Sequence, residues 1–423
     1  MTTYAIIGLG YVGLGLATAL AKENQVWGYD INQDRIRELQ QQSDRNQLID
    51  RKDLTHSTLV YTDKLNDIKD AQFYIVAVAT PALFYILPDL EPLIAASKAL
   101  ATILKKNDIV VFESTVYPGT TEDVCIPILE QYSHLKCGED FQVGYSPERI
   151  NPCDEKHTLY NIPKIISAQN PEALQRVKET YEMICQTVYP VSNIATAEAI
   201  KILENTQRDV NIALMNEFTQ IMHALNLDTH EIIEGAKTKW SFIPFKPGLV
   251  GGHCISIDPL YLAFQAKRHS VPSDLILTAR KINDGITSFI VQSMVKLFIS
   301  HKINLENITV GLFGIAYKEN TVDVRNSLSL KLIKELSEYG FKCRVHDPLQ
   351  KSLNQYGNTV ILEDFDDIDE LSIAVILVAH DFYQEMGLEN IVKKCKNPTI
   401  VMDIPNLFSA QRQSIEHCIY WSL

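Results

Sequence analysis

The chain has 423 residues, of which 46% are hydrophobic and 22% charged, which excludes an intrinsically disordered protein and provides for two or three ordinary cores. A formal net charge of -13 excludes a general nucleic-acid surface, because neutralising phosphates takes clustered Lys and Arg. The cysteines form no C-x-x-C pair and no Cys/His group at zinc spacing, so neither a disulfide framework nor a metal site is indicated, and reduced thiols in the cytoplasm are expected.

The first element is a short β-prone run, Tyr4 to Ile7, that passes at once into G-x-G-x-x-G at Gly8, Gly10 and Gly13, with Tyr11 and Val12 between the last two glycines, and then into a helix-compatible stretch from Leu14 to Lys22. Such glycines allow a tight turn and the close approach of a pyrophosphate at a helix N-terminus. A second strand, Gln25 to Tyr29, ends in Asp30. An acid there accepts hydrogen bonds from the adenine ribose and repels a 2′-phosphate, which favours NAD over NADP. Arg35 reads either as a residue over the adenine or pyrophosphate or as a solvated helix residue. The N-terminus lacks a basic n-region, and no stretch reaches the roughly 20 apolar residues of a spanning helix, so neither secretion nor a membrane partner is expected.

Strand-like runs at Phe73 to Val78, Asp108 to Phe112, Gln142 to Tyr145 and Lys164 to Ser167 alternate with helical patterns, predicting a doubly wound α/β domain over residues 1–190. Ligands of such sheets lie beyond the carboxyl ends of the strands, where Thr80 and Thr115 occupy polar turns. Each is a candidate for the nicotinamide end of the cofactor, or a turn hydroxyl. The apolar loop Ala82 to Leu87 reads as a lid or an interface.

A central domain over 191–300 follows. From Thr196 to Leu225 no proline or glycine interrupts the helical pattern, which predicts one long helix or two abutting ones. Lys201 and Asn205 lie one turn apart on it, with Glu204 among its solvent-exposed neighbours. Further on, the pair Gly251–Gly252 opens the backbone beside His253 and Cys254, and Asp258 stands four residues beyond the thiol. On a helical turn that spacing places a thiol nucleophile beside an acid/base group, whereas a lone cysteine is ordinarily a small buried hydrophobe. The last domain, 301–423, holds a strand and glycine turn from Thr309 to Lys318 and later strands ending at His346-Asp347, His380-Asp381 and Asp403. The predicted fold class is therefore α/β, with two Rossmann-like doubly wound domains joined by a long central helix.

Together these motifs resemble the UDP-glucose/GDP-mannose dehydrogenase family, the nucleotide-sugar 6-dehydrogenases, over nearly the whole chain. The matching elements are Gly8 to Gly13, Glu113-Ser114-Thr115-Val116-Tyr117-Pro118-Gly119-Thr120-Thr121-Glu122, Ser146-Pro147-Glu148-Arg149, Lys201 with Asn205, Gly251-Gly252-His253-Cys254 with Asp258, and Tyr317-Lys318 followed by Asp323-Val324-Arg325-Asn326-Ser327. The resemblance implies NAD as cofactor, a UDP-sugar as substrate, and four-electron oxidation of the sugar C6 alcohol to a carboxylate through a thioester on Cys254. It further implies that Lys201 and Asn205 donate to the developing oxyanion, that Asp258 handles protons through a water, and that Glu148 positions or activates the hydrolytic water with Thr115 nearby. Glu148, Arg149, Phe245, Lys246, Gly251 and Lys318 become candidate substrate contacts, and Arg325 a cofactor contact. Lys246 also reads as a solvated loop lysine, Lys318 as a helix-cap contact and Arg325 as an ion-pair partner of Asp323.

Departures from the UDP-glucose branch narrow the expected substrate. That branch carries C-x-x-K-D at the nucleophile, where this chain has Cys254-Ile255-Ser256-Ile257-Asp258, and the second glutamate of its P-E-F-x-x-E pattern is Pro152 here. With the segment Thr238 to Cys254, these changes resemble the branch acting on UDP-N-acetylhexosamines, UDP-GlcNAc or UDP-GalNAc, in surface polysaccharide synthesis. UDP-glucose or GDP-mannose oxidation and a non-catalytic NAD or nucleotide-sugar sensor are the alternatives. A homodimer or higher oligomer is expected, because the middle helix carries more apolar positions than flanking domains would cover.

Overall fold

A computed structural model describes residues 2–46, 49–83, 87–150, 156–252, 254–350, 353–355, 358–360, 362–412, 415 and 418–423. Its contacts divide the chain into two compact units, residues 1–205 with 257–272, and residues 206–256 with 273–423. The stretch 191–300 thus contributes to both. The helix Asp258–Arg268 belongs with the first unit because it bonds back to that unit's loops: Gln265 Nε2 donates to the Pro118 carbonyl at 2.8 Å and the Tyr261 hydroxyl to the Thr80 carbonyl at 2.5 Å.

The first unit is built on an eight-stranded sheet. Its strands are β1 (Thr3–Ile7), β2 (Gln25–Tyr29), β3 (Leu59–Thr62), β4 (Phe73–Val76), β5 (Ile109–Phe112), β6 (Gln142–Tyr145), β7 (Lys164–Ala168) and β8 (Val188–Pro190), in the order β8-β7-β6-β5-β4-β1-β2-β3. β1 to β6 are mutually parallel in the doubly wound order, while β7 runs antiparallel to β6 and parallel to β8. Every residue of β4, β5 and β6 is buried, as in strands covered on both faces. Burial of each aliphatic chain such as Ile75 or Val111 contributes roughly 1.5–3 kcal/mol.

Strand order reverses at β1 and β4, which opens a crevice at their carboxyl ends. The fingerprint turn lies there. Gly8 has φ +91°, and a Cβ at this position would sit 2.8 Å from the Ala77 carbonyl oxygen; a Cβ on Gly13 would sit 1.9 Å from the Gly8 carbonyl oxygen. Both glycines are therefore steric requirements of the turn, whereas the Cβ position of Gly10 has no atom within 4 Å.

The second unit carries a five-stranded sheet of β9 (Thr309–Phe313), β10 (Lys342–His346), β11 (Ile373–Ile376), β12 (Thr399–Asp403) and β13 (Cys418–Ser422), all parallel, in the order β10-β9-β11-β12-β13. β13 was not among the expected strands. On it, the Trp421 ring stacks on His223 with centroids 4.9 Å apart. The turn after β9 repeats the turn after β1. The Gly314 amide donates to His346 O at 2.9 Å as Gly8 donates to Tyr29 O at 2.9 Å, and Asp347 Oδ2 accepts from the Ile315 amide at 2.8 Å as Asp30 Oδ2 accepts from Leu9 at 2.8 Å. The two turns share a positive-φ glycine, a tyrosine three residues on and an acid after the next strand, too little to register as a sequence repeat.

The middle of the chain forms one helix, Ile194–Leu225, of 32 residues rather than two abutting ones. No described helix is long and apolar enough to cross a membrane.

Candidate active site

In the first unit, the turn after β1 has the form of a dinucleotide cradle. The helix Tyr11–Leu20 begins at Gly10 with no side-chain cap and no acidic residue in its first turn, so its N-terminal partial charge faces an open backbone. Asp30 Oδ2 accepts from Leu9 N and Oδ1 from Asn32 N at 2.9 Å, which fixes the carboxylate at the end of β2 and still leaves acceptor capacity for ribose hydroxyls. Arg35 is buried rather than solvated. Its Nε donates to the Leu9 carbonyl at 2.9 Å, its Nη1 to Glu38 at 2.8 Å, and its Nη2 lies 2.8 Å from Asp44 Oδ1, so it braces the fingerprint turn from within the fold.

The turns after β4 and β5 are tied together. Thr80 Oγ1 donates to the Thr115 carbonyl at 2.6 Å, and Ser114 Oγ donates to the Val78 carbonyl at 2.7 Å. Thr80 and Thr115 are thus brought together at the carboxyl ends of adjacent strands, and Tyr261 covers the same turn with a second bond to the Pro81 carbonyl at 3.1 Å.

The same unit gathers Lys201, Asn205 and Asp258. Their exposures are 8%, 9% and 2%, low for three polar groups, and Asn205 Nδ2 donates to Asp258 Oδ2 at 2.5 Å. Burial pushes the Asp258 carboxyl up to about 6, against the opposing pull of the Lys201 charge and the Asn205 amide. A carboxyl poised near neutrality beside two hydrogen-bond donors can exchange a proton with a bound alcohol or water.

The central helix positions this cluster. Glu198, Lys201 and Asn205 share one helical face. Glu198 is fully buried and accepts from the amides of Gly119 at 2.5 Å and Thr121 at 2.9 Å and from the Thr121 hydroxyl at 2.7 Å, locking the turn after β5 to the helix. Burial pushes Glu198 up to about 7. Glu204, expected at the surface, is half-buried because Arg149 Nη2 donates to its Oε1 at 2.6 Å. Arg149 also donates to the Pro163 carbonyl at 2.7 Å, so its guanidinium brackets the helix to the turn after β6. Next to it, Glu148 is buried; its Oε1 accepts from the Arg149 and Ile150 amides at 2.6 and 2.5 Å, and its Oε2 lies 3.4 Å from Lys164 Nζ.

In the second unit, Cys254 is a half-buried reduced thiol preceded by a glycine pair held against the turn after β9. A Cβ on Gly251 would sit 2.6 Å from the Asn326 carbonyl oxygen, and one on Gly252 (φ +89°) 2.8 Å from the Tyr317 ring. Neither position admits a larger residue. Upstream, Asn216 clamps Gly248 in both directions, donating to its carbonyl at 3.1 Å and accepting from its amide at 2.8 Å. Asn216 in turn bonds Asn283, which with Arg280 donates to Oδ1 of the buried Asp209. Phe245 and Lys318 are half-buried and Lys246 is exposed. Arg325 is exposed and paired with Asp323, Nε at 2.9 Å and Nη2 at 2.6 Å. His253, Pro152 and the centre of the apolar loop at 84–86 lie outside the described residues.

Glu198, Tyr261 and Asn216 were not singled out from sequence. Glu198 and Tyr261 each stand three residues from a singled-out residue on the same helix, a signal that was present, but their partners are loops distant in the chain. Nothing in the sequence marks Asn216.

Comparison with known proteins identifies the family. The chain matches three domains of the UDP-glucose/GDP-mannose dehydrogenase family: the NAD binding domain over residues 2–185, the central domain over 195–285 and the UDP binding domain over 311–410. It is 41% identical over 420 residues to a UDP-N-acetyl-D-glucosamine 6-dehydrogenase of Pseudomonas aeruginosa, covering 97% of this chain and 98% of that one. It is 40% identical to protein CapL of Staphylococcus aureus, covering 98% of each. Among solved structures, a UDP-D-ManNAc dehydrogenase from Pyrococcus horikoshii superposes with a TM-score of 0.90 at 30% identity, covering 100% of this chain and 99% of that one. The chain accordingly belongs to the UDP-glucose/GDP-mannose dehydrogenase family and is an NAD-dependent nucleotide-sugar dehydrogenase.

Proposed function

We propose that the protein oxidises the C6 hydroxyl of a UDP-N-acetylhexosamine, UDP-GlcNAc or UDP-GalNAc, to the carboxylate, through a covalent intermediate on Cys254. The observation that carries the reading is the buried Lys201–Asn205–Asp258 cluster, with its carboxyl pushed toward neutrality. NAD+, held at Gly8, Gly10, Tyr11, Val12, Gly13 and Asp30 with Thr80, Thr115 and Arg325 toward its other end, supplies the hydride acceptor, two equivalents per sugar.

In this reading Asp258, through a water, takes the proton of the C6 alcohol and one C6 hydrogen leaves as hydride to NAD+, while Lys201 and Asn205 donate to the developing oxyanion, and the product of this half-reaction is the aldehyde. The Cys254 thiolate then adds to the resulting aldehyde carbon, giving a thiohemiacetal that again carries one hydrogen on C6 and one oxygen able to become an oxyanion. Loss of that hydrogen as hydride, with the hydroxyl proton passing to the same cluster, leaves a thioester. Water oriented by Glu148 and Thr115 adds to the thioester, the C–S bond breaks, and the sulfur leaves as thiolate with the uronic acid as product. Lys246, Lys318, Phe245 and Gly251 contact the nucleotide sugar, and Arg149 holds Glu148 in place through Glu204. The acetamido preference rests on Ile257, which places no cation four residues before Tyr261, and on the 40–41% identity to proteins named for UDP-N-acetyl-D-glucosamine. The name of the relative CapL supports a place in surface polysaccharide synthesis.

The test is NADH formed per sugar consumed, with UDP-GlcNAc, UDP-GalNAc, UDP-glucose and GDP-mannose offered separately. About two NADH per sugar, with an acetamido sugar preferred, is the expected result. One NADH per sugar removes the thioester, preference for UDP-glucose or GDP-mannose removes the branch assignment, and no turnover moves the protein to the sensor class.

The 191–300 stretch is proposed as a dimerisation element as well. Leu203, Leu214, Ile221 and Leu225 fall on one face of the central helix and are exposed by 63, 56, 50 and 59%, an apolar stripe that a second copy would cover. Leu214→Glu with Ile221→Glu is expected to convert the sedimenting species from dimer to monomer; an unchanged mass would place the interface elsewhere.

A further inference from the structure

Beneath Glu148 lies a charged group that none of the steps above uses. Lys164, at the start of β7, is buried with 3% exposure, and its Nζ donates to Glu113 Oε2 at 2.6 Å and reaches Glu148 Oε2 and the Pro147 carbonyl at 3.4 Å each. Glu113, at the end of β5 and 2% exposed, accepts on its other oxygen from the Tyr181 hydroxyl. The Lys164 ammonium also stands 5.2 Å from the centre of the Tyr181 ring, and the Cys185 thiol is the remaining titratable group on this side. One cation thus serves two buried carboxylates from adjacent strands.

Removing an ion from water costs several kcal/mol, and a lysine this deep persists only where carboxylates repay that cost. A simpler core would hold one acid and one base, or neither. The second acid is Glu148, whose Oε1 is fixed by two backbone amides, so Lys164 sets the orientation and the electrostatic surroundings of the remaining oxygen. Antiparallel pairing of β6 with β7 is what brings Lys164 under the Ser146-Pro147-Glu148 turn. Although burial opposes its charge, Lys164 is held above the ordinary lysine range by Glu113 and Glu148, while burial pushes Glu113 up to about 7 despite the lysine. Glu113 therefore takes up or releases a proton near neutrality, and with it the share of the lysine charge left to Glu148 changes.

We propose that Lys164 and Glu113 are positioning residues for hydrolysis of the covalent intermediate, dividing one buried positive charge between themselves and Glu148. The proposal rests on the assignment of Glu148 above. It makes predictions of opposite sign. In Lys164→Met, Glu148 loses its cation, so the acidic limb of the pH–rate profile for uronic-acid formation moves to higher pH. In Glu113→Gln, which still offers a carbonyl oxygen to Lys164, Glu148 has the cation to itself and the limb moves to lower pH.

The experiment measures acid formation by the full-length enzyme with UDP-GlcNAc and NAD+ across pH for both variants, each also made in a Glu148→Gln background. Lys164→Met is expected to lower kcat about tenfold to a hundredfold with KM little changed, and to lower it no further when Glu148 is already glutamine. Equal losses in both backgrounds, or limbs displaced in the same direction, would make the pair a stability device and overturn the proposal. Should Lys164→Met not fold, the Glu113→Gln limb alone decides, since an unmoved limb there has the same meaning. Unchanged acid formation in Glu148→Gln itself would overturn the role given to Glu148 and this proposal with it, an outcome distinct from failure of the Lys164 variants alone.

Discussion

Cys254→Ala is expected to lower uronic-acid formation by about three orders of magnitude or more, leaving the fold and NAD binding intact. The size follows from the chemistry. An aldehyde carbon has no second hydride to give until a nucleophile adds to it, and without the thiol only water can do so, a far weaker nucleophile than a thiolate. Retention of the fold follows from the structure, because the side chain is half-buried and alanine removes a single sulfur. The fingerprint turn and Asp30, which carry the dinucleotide cradle, are fixed by steric contacts and hydrogen bonds within the first unit. Rapid-quench analysis of the wild-type enzyme should trap a sugar adduct on Cys254, and the alanine variant should give none. Net oxidation to the acid at wild-type rates in the variant would eliminate the covalent route.

Asp258→Asn is expected to lower turnover about 10²–10⁴-fold, the range for loss of a positioned acid or base, and to leave a distinct signature in stability. The folded-state carboxyl titrates at about 6, above the ordinary 3.8. Between those values the folded protein binds more protons than the unfolded chain, so the contribution of Asp258 to stability is present below about pH 4 and declines as pH rises to about 6. The decline amounts to about 3 kcal/mol across the window, since a tenfold change in proton affinity on folding corresponds to about 1.4 kcal/mol. Asparagine has no proton to lose. The difference in unfolding free energy between wild type and variant should therefore slope through pH 4–6 and be flat above about 7. A difference that is flat throughout would mean that Asp258 is solvated, and its assignment as the proton-handling group would lose its physical basis.

Much of the fold was legible because its signals are local. Phe73–Val76, Ile109–Phe112 and Gln142–Tyr145 are short apolar runs between polar turns, and their burial on both faces is what such runs encode. β13 escaped notice because its residues are half-buried at a sheet edge and its sequence, Cys-Ile-Tyr-Trp-Ser, follows a polar stretch with no turn signal. The acid and glycine turn after β9 was visible, but not its equivalence to the fingerprint turn, which exists only as paired hydrogen bonds.

The candidate site divides in the same way. Gly8, Gly13 and Asp30 can be read from local sequence, since a steric or charge requirement at one position can be met by one residue type. Lys201 and Asn205 are likewise visible as a helical pair. Their conversion into a site depends on Asp258, 53 positions along from Asn205, being buried against them, which no local pattern specifies. The same holds for Arg35, whose charge is neutral as to role until Glu38, Asp44 and the Leu9 carbonyl enclose it, and for Lys164, an ordinary strand residue until β6 and β7 place it beneath Glu148. Local sequence specifies which chemical groups the chain carries and the turns and periodicities that form its elements, because backbone sterics and side-chain spacing act over a few residues. Folding selects which of those groups are dry and which charges they face, because desolvation and Coulomb interactions depend on neighbours brought together across the whole chain.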